Sequence, residues 1–413
     1  MTNTSTNKQH VVIVGGGFGG VFTALELEAI ADVTLINQKD HFLFTPLLYE
    51  YLSREVEAWH IAPEYSEILK SGVKFIKGEV AEVDLEKKEL HLIAGKEKLS
   101  YDILVLAIGS VSNFYGIEGA QEHAFEFRKL EDADALRNKL IDTLDAIPPD
   151  AAPQDARQMA TFVVVGGGAS GVELSTKLSD LLHDAFRRRG LRGEPRILLI
   201  EMSDKVVPTM ADEIRRIVEE SLTKSRVEVH TLTSVKHLSA GTIDIEHLGQ
   251  ISTLEVVGVI WTAGVKMPSL IERLGLEKDK RNLIIVEPTL QAIGQREVFA
   301  IGDIALCPGV SPQLSGTAQL AVQQSSLVAQ NIRALIDGKS LDSKHYVELG
   351  EAVSLGMESA ALSIGDATYS GALARRTRFA MYTSRLPTWQ HRLKVGASWF
   401  FDGTAPQPLE LRR

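Results

Sequence analysis

Short runs of β-branched and aliphatic residues recur along this chain, and two of them end alike. Val11-Val12-Ile13-Val14 stops at Gly15-Gly16-Gly17-Phe18-Gly19-Gly20, and Phe162-Val163-Val164-Val165 stops at Gly166-Gly167-Gly168-Ala169-Ser170-Gly171. Unbroken apolar runs of this length predict strands buried on both faces of a parallel sheet. After each turn the pattern changes to helical spacing, predicting helices over 21–30 and from the second turn to about Arg187. Further strands are expected at 33–36, 73–76, 79–85, 89–93, 103–106, 196–200, 256–261 and 298–301. A helix at 130–146 precedes Pro148-Pro149-Asp150-Ala151-Ala152-Pro153, which breaks regular structure. Another helix begins near Ser315-Gly316-Thr317, good capping chemistry. Alternating strands and helices place the chain in the α/β class.

The glycines give the two turns a chemistry. Gly15, Gly17 and Gly20, and again Gly166, Gly168 and Gly171, stand at the three places of the dinucleotide fingerprint. The first permits the tight turn, the second lets backbone approach a pyrophosphate, and the third lets helix and strand pack closely. Each helix N-terminus then offers free N–H groups and partial positive charge to phosphates. Two fingerprints about 150 residues apart predict two Rossmann-like dinucleotide-binding domains, the layout of a flavoprotein that oxidises a nicotinamide cofactor. The first, with Phe18 and Gly19 inside its loop, is assigned to FAD and the second, including Ser170, to NADH.

The strand after each turn ends at the ribose-binding position, Asn37 in the first unit and Glu201 in the second. Glu201 predicts NADH over NADPH, because its carboxylate accepts from ribose hydroxyls and repels a 2′-phosphate. Small-residue turns at Ala107-Ile108-Gly109-Ser110 and Thr262-Ala263-Gly264-Val265 follow two other strands and mark further approaches to a cofactor. The apolar stretch from Asp40 to Glu50 reads either as a packed loop or as a flavin-covering segment, with Thr45-Pro46 bringing backbone to the ring. The strand before Gly302-Asp303 and the helix opening at 315–317 complete the first unit.

Composition narrows the function. A net charge of −10 argues against nucleic acid as a partner. Cys307 is the single cysteine, which removes disulfide reductases and sulfide:quinone reductases, since both need a cysteine pair. No metal site is expected. The polar stretch before Val11 predicts no secretory signal, and no apolar run reaches the roughly 18 residues needed to cross a bilayer. The tail from Arg375 interleaves Arg375, Arg376, Arg378, Arg385, Arg392 and Lys394 with Phe379, Met381, Tyr382, Leu386, Trp389, Leu393, Trp399, Phe400 and Phe401. Cations beside aromatics at the end of an acidic protein read as an amphipathic, membrane-associating region. A homodimer interface is the competing reading. Gln319 and Gln323, four residues apart, share one face of a mostly apolar helix, where buried amides need partners. Those partners are either a core network or a quinone and flavin edge.

Together these motifs resemble the type II NADH dehydrogenases, single-subunit NADH:quinone oxidoreductases with the two-dinucleotide-binding flavoprotein fold. The resemblance rests on the first glycine turn, Phe44-Thr45-Pro46-Leu47-Leu48-Tyr49-Glu50, the second turn through Glu173, Gly302-Asp303, and most specifically Ala318-Gln319-Leu320-Ala321-Val322-Gln323-Gln324. The stretch from Asp40 through Pro63 is similar to the cyanobacterial and plastid branch, which includes naphthoquinone reductases of the demethylphylloquinone type. It implies bound FAD, NADH as donor, a membrane quinone as acceptor and no proton pumping. It further implies that Asp303 accepts from the flavin ribityl chain, that Ala318 and Gln319 lie at the flavin, that Gln319 and Gln323 serve the quinone, and that Glu173 moves protons or positions substrate. The expected division is 1–125 and 291–345 for FAD, 126–290 for NADH and 346–413 for a C-terminal membrane-anchoring region. The expected place is the cytoplasmic face of a bacterial cytoplasmic or thylakoid membrane. A ferredoxin-reductase-like flavoprotein is the remaining rival.

Overall fold

Val11, Val12 and Ile13 are fully buried at the centre of a five-stranded parallel sheet. Its order is Val298–Ala300, Ile103–Leu106, His10–Val14, Asp32–Asn37 and Val73–Lys77. The computed structural model describes residues 8–93, 98–309, 316–343, 346–347, 349–365, 367–401 and 403–409. Two units emerge: Met1–Phe44, Ala62–Val111 and Val265–Glu348 form one, and Thr45–Ile61, Ser112–Gly264 and Leu349–Arg413 the other.

In the first unit, the helix after the glycine turn spans Phe18–Leu27 rather than 21–30. Gly19 and Gly20 are accepted inside its first turn because close backbone packing there outweighs their poor helix propensity. Helix Ala318–Ile336 packs along it, and Ser326 bonds Glu26 across the pair at 2.5 Å. Thr317 caps this second helix, accepting from the Leu320 N–H at 3.1 Å; Ser315, the alternative cap, lies outside the described residues. An antiparallel sheet of Val80–Asp84, Glu89–Leu92 and Lys98–Ser100 adds a third strand to the expected pair.

The second unit repeats the plan. Its parallel sheet runs Val227–His230, Arg196–Ile200, Thr161–Val165, Gly258–Trp261 and Ala124–Glu126, with helix Ala169–Arg189 leaving the central strand. The strand expected at 256–261 begins two residues late, at Gly258. Within the apolar stretch from Asp40 to Glu50, read as a packed loop or a flavin-covering segment, Thr45–Leu47 is a 3-10 turn that continues into helix Leu48–Leu52. Pro46 fits there because a first helical turn needs no N–H from it. Strands Glu351–Leu355, Ser359–Ile364 and Ala367–Gly371 form an antiparallel sheet, followed by helices Ala372–Ser384 and Trp389–Phe401.

Candidate active site

Both glycine turns are built by close approach, and in the same way. Gly15 has φ +107°, and a Cβ there would lie 2.2 Å from the Ala107 carbonyl oxygen. Gly166 has φ +108°, and its Cβ would lie 2.9 Å from the Ala263 Cα. A Cβ on Gly20 would stand 1.8 Å from the Gly15 carbonyl oxygen, and one on Gly171 would stand 1.7 Å from that of Gly166. Ala107 and Ala263 thus occupy equivalent places, which is why small residues end those strands. By contrast, a Cβ on Gly17, Gly109 or Gly168 would meet no atom within 4 Å. These open backbone faces fit a dinucleotide lying against each turn.

The strand-end residues are held alike. Asn37 Oδ1 accepts from the Gly16 N–H at 3.0 Å, while its Nδ2 donates to Tyr65, whose hydroxyl donates back to the Gly16 carbonyl at 2.7 Å. Glu201 Oε2 accepts from the Gly167 N–H at 2.6 Å. Its Oε1 accepts from the Ser203 N–H and hydroxyl, each at 2.7 Å. The carboxylate is therefore oriented before any ribose arrives. Phe18, on the first turn, packs edge-on against Phe42 and Phe44 at 5.0 and 5.4 Å.

Asp303 accepts from Ser110 at 2.6 Å, joining the Gly302-Asp303 turn to the Ala107-Gly109 turn. Gly302, at φ +73°, donates its N–H to Gln324 Oε1 at 2.7 Å. Gln324 was not singled out from sequence, although it belongs to the same glutamine-rich helix. Gln319 and Gln323 do share that helix, but their amides differ. Gln323 donates to the Val347 carbonyl at 2.8 Å and accepts from the Val347 N–H at 3.1 Å, so both ends are engaged by backbone. Gln319 Nε2 is buried and has no hydrogen-bond partner among the described residues.

In the second unit, Glu173 starts a buried charge cluster. Its Oε1 accepts from the Ser354 N–H at 2.7 Å and from Arg378 at 3.3 Å. Arg378 also pairs with Glu50 at 2.6 Å and donates to the Pro46 carbonyl at 2.8 Å. Nearby, Glu55 pairs with Lys177 and with Arg375, each at 2.5 Å. Three carboxylates face three cations, and Lys177, four residues after Glu173, is fully buried with its partner Glu55. Burial pushes the Glu173 carboxyl up to about 7, against the pull of Arg378 and the Ser354 N–H. Burial acts on Glu50 too, but Arg378 and Lys177 outweigh it and hold that carboxyl below its ordinary range. Burial likewise raises the Tyr49 phenol, which bonds Ser170 in the first turn of the helix. A buried acid titrating near neutrality is equipped to hold or release a proton.

This cluster corrects the reading of the tail. Arg378 is 0% exposed and Arg375 mostly buried, so neither belongs to a membrane-facing basic patch. Phe379, Tyr382 and Leu386 are buried as well. The exposed apolar residues are Trp389, Leu393, Phe400 and Phe401, from 64% to 83% accessible, with Lys394 exposed among them. Alternation of cations and aromatics cannot tell these cases apart, because the partners Glu50, Glu55 and Glu173 are remote in sequence. Glu50, within the 44–50 motif, and Lys177, Glu55 and Ser354 carry no local sequence signal of their own. No described helix is long and apolar enough to cross a membrane.

Two glycine turns with open faces, each with an oriented strand-end acceptor, define a protein built to hold two dinucleotides. A family model for the pyridine nucleotide-disulphide oxidoreductases matches residues 9–325. The chain is 35% identical to the demethylphylloquinone reductase NdbB of Synechocystis sp., over 95% of this chain and 96% of that protein. It is 32% identical to the alternative NAD(P)H-ubiquinone oxidoreductase C1 of Arabidopsis thaliana, over 95% of this chain and 80% of that one. Its fold matches the structure of NDH2 from Plasmodium falciparum in complex with NADH, with a TM-score of 0.85 at 20% identity, covering 98% of this chain and all of the other. The chain belongs to the pyridine nucleotide-disulphide oxidoreductases and, within them, to the type II NADH:quinone oxidoreductases and their cyanobacterial and plant relatives.

Proposed function

We propose that the protein is an FAD-dependent NADH:quinone oxidoreductase that passes two electrons to a membrane quinone without pumping protons. The observation that carries this reading is the duplicated dinucleotide turn in a chain with one cysteine, which cannot form the redox disulfide of its wider family. When bound, FAD supplies the two-electron relay between NADH and quinone. The chain supplies binding, orientation and proton handling. Glu201 holds the adenosine ribose of NADH, and the N-terminus of helix Ala169–Arg189 faces its diphosphate. Ser170, Ala263 and Gly264 receive the nicotinamide end. Gly15, Gly17 and Gly20 cradle the flavin diphosphate, with Asn37 at its ribose and Asp303 at its ribityl chain. Gln319 offers its buried amide N–H to a carbonyl on flavin or quinone, while Gln323 fixes the chain at Val347. Glu173 holds or releases the proton that quinone reduction requires.

On this reading 1–125 and 291–345 serve FAD, 126–290 serves NADH, and 346–413 carries the membrane contact on its exposed end alone. The exposed face of Trp389, Leu393, Phe400 and Phe401 rests on the cytoplasmic side of a bacterial cytoplasmic or thylakoid membrane; a homodimer interface is the rival occupant. A second reading, reduction of a demethylated naphthoquinone in quinone biosynthesis, is favoured by the 35% identity to the Synechocystis reductase. Rapid mixing of the flavin-containing protein with NADH, then with ubiquinone or demethylated naphthoquinone, tests both. The expected result is fast bleaching by NADH and recovery with quinone. No bleaching, or no recovery with any quinone, would refute the main reading, and the faster quinone distinguishes the two.

A further inference from the structure

Arg128 is an arginine at the carboxyl edge of the second parallel sheet, just past its edge strand Ala124–Glu126. Val165 pairs with Ile200 on one side and with Trp261 on the other, and Trp261 pairs with Glu126. These four strand ends therefore lie level, where open α/β sheets bind ligands. Glu201 follows Ile200, one strand to one side of the glycine turn. Arg128 stands two strands to the other side. A dinucleotide with its adenosine ribose on Glu201 and its diphosphate over the central turn sends its second nucleotide toward Arg128.

The side chains there form a built site. Arg128, Ser170, Thr262 and Gly264 surround a cavity of about 60 Å³ walled by Phe127 and Trp261. The walls are fixed in place: Trp261 Nε1 donates to the Asn113 and Ala263 carbonyls at 2.9 and 2.8 Å, and Thr262 Oγ1 donates to the Val165 carbonyl at 2.8 Å. Asp132, in the first turn of helix Leu130–Ala146, accepts from the Arg128 and Lys129 N–H groups at 2.8 and 2.9 Å, which sets the backbone carrying the guanidinium. The helix N-terminus at Ser170 adds partial positive charge to the same space.

We propose that Arg128 is a positioning residue for the nicotinamide-side ribosyl phosphate of the dinucleotide, an inference that rests on the NADH reading above. A guanidinium has five donors, so it can give charge-assisted bonds to phosphate oxygens beside the contact it already makes within the protein, and the Ser170 and Thr262 hydroxyls complete the polar lining. Arg128 thus acts on the half of the cofactor that Glu201 does not touch.

Calorimetric titration of the flavin-containing protein with NAD⁺, ADP-ribose and AMP tests this. Arg128→Gln is expected to weaken NAD⁺ and ADP-ribose together by roughly ten- to hundredfold, while AMP stays within about twofold. Arg128→Lys, which keeps the charge without the fork and disturbs folding least, should fall between. Unchanged NAD⁺ affinity in either variant would overturn the proposal. So would equal weakening of AMP, which marks general damage to the site, or loss of NAD⁺ with ADP-ribose unaffected, which moves the role to the carboxamide. A wild-type protein that binds none of the three would instead overturn the NADH reading itself.

Discussion

Replacing Arg378 by Met removes the guanidinium that pairs directly with both Glu50 and Glu173. The substitution deletes charge-assisted bonds at 2.6 and 3.3 Å and a bond to the Pro46 carbonyl at 2.8 Å, in a place where the arginine is 0% exposed. Leaving a buried charge without its partner costs about 3–5 kcal/mol. The loss should depend on pH, with a sign that follows from Glu173. Burial raises its carboxyl from 4.5 to about 7, so the folded state holds this proton where the unfolded chain has released it. At about 1.4 kcal/mol per pH unit, that contribution is on the order of 3 kcal/mol. It is fully present below pH 4.5 and is lost as pH rises through about 7. Without Arg378, Glu50 loses the pull that holds its carboxyl low and Glu173 is raised further, and protonation relieves the unpaired charge. The deficit of Arg378→Met should therefore be large at pH 8 and smaller at pH 6. Adding Glu50→Gln should recover part of it, because an unpaired carboxylate is replaced by a neutral amide. Denaturant unfolding of the second unit, followed by the fluorescence of buried Trp261, would measure both effects. An equal deficit at the two pH values, or no recovery in the double variant, would refute the reasoning.

Other substitutions separate the remaining roles. Glu201→Gln should narrow the preference for NADH over NADPH by about 1–3 kcal/mol in kcat/KM, and equal efficiencies for the two in the unaltered protein would exclude the ribose assignment. Gln319→Leu should leave NADH half-reaction rates and stability nearly intact while slowing re-oxidation by quinone, by about 1–4 kcal/mol in barrier. Gln323→Leu should instead lower stability by about 1–3 kcal/mol, because it strips both bonds from Val347; rapid mixing and melting curves on the pair distinguish the two residues. Exchanging Trp389, Leu393, Phe400 and Phe401 for Ser should release the protein from liposomes, each apolar side chain contributing up to about 1.5–3 kcal/mol if fully buried. Retained liposome binding with loss of a dimer in sedimentation would assign that face to self-association.

Much of this protein is legible locally. The strand-end acceptors Asn37 and Glu201 reach their glycine turns across 21 and 34 positions, and Thr317 caps the glutamine helix from 3 residues away. These hydrogen bonds follow from backbone geometry that spacing encodes, whereas the approach of Gly15 to Ala107 and of Gly166 to Ala263 joins strands far apart in the chain. What spacing cannot encode is the partner of a charge. Arg378 lies 328 residues from Glu50 and 205 from Glu173, and only the folded second unit turns a tail arginine into the centre of a buried cluster. Periodicity likewise put Gln319 and Gln323 on one face, yet the fold alone decided that backbone at Val347 takes one amide and leaves the other without a partner among the described residues. The physical reason is common to these cases: helical and strand patterns report which face is apolar, whereas desolvation and pairing depend on what the rest of the chain brings against it.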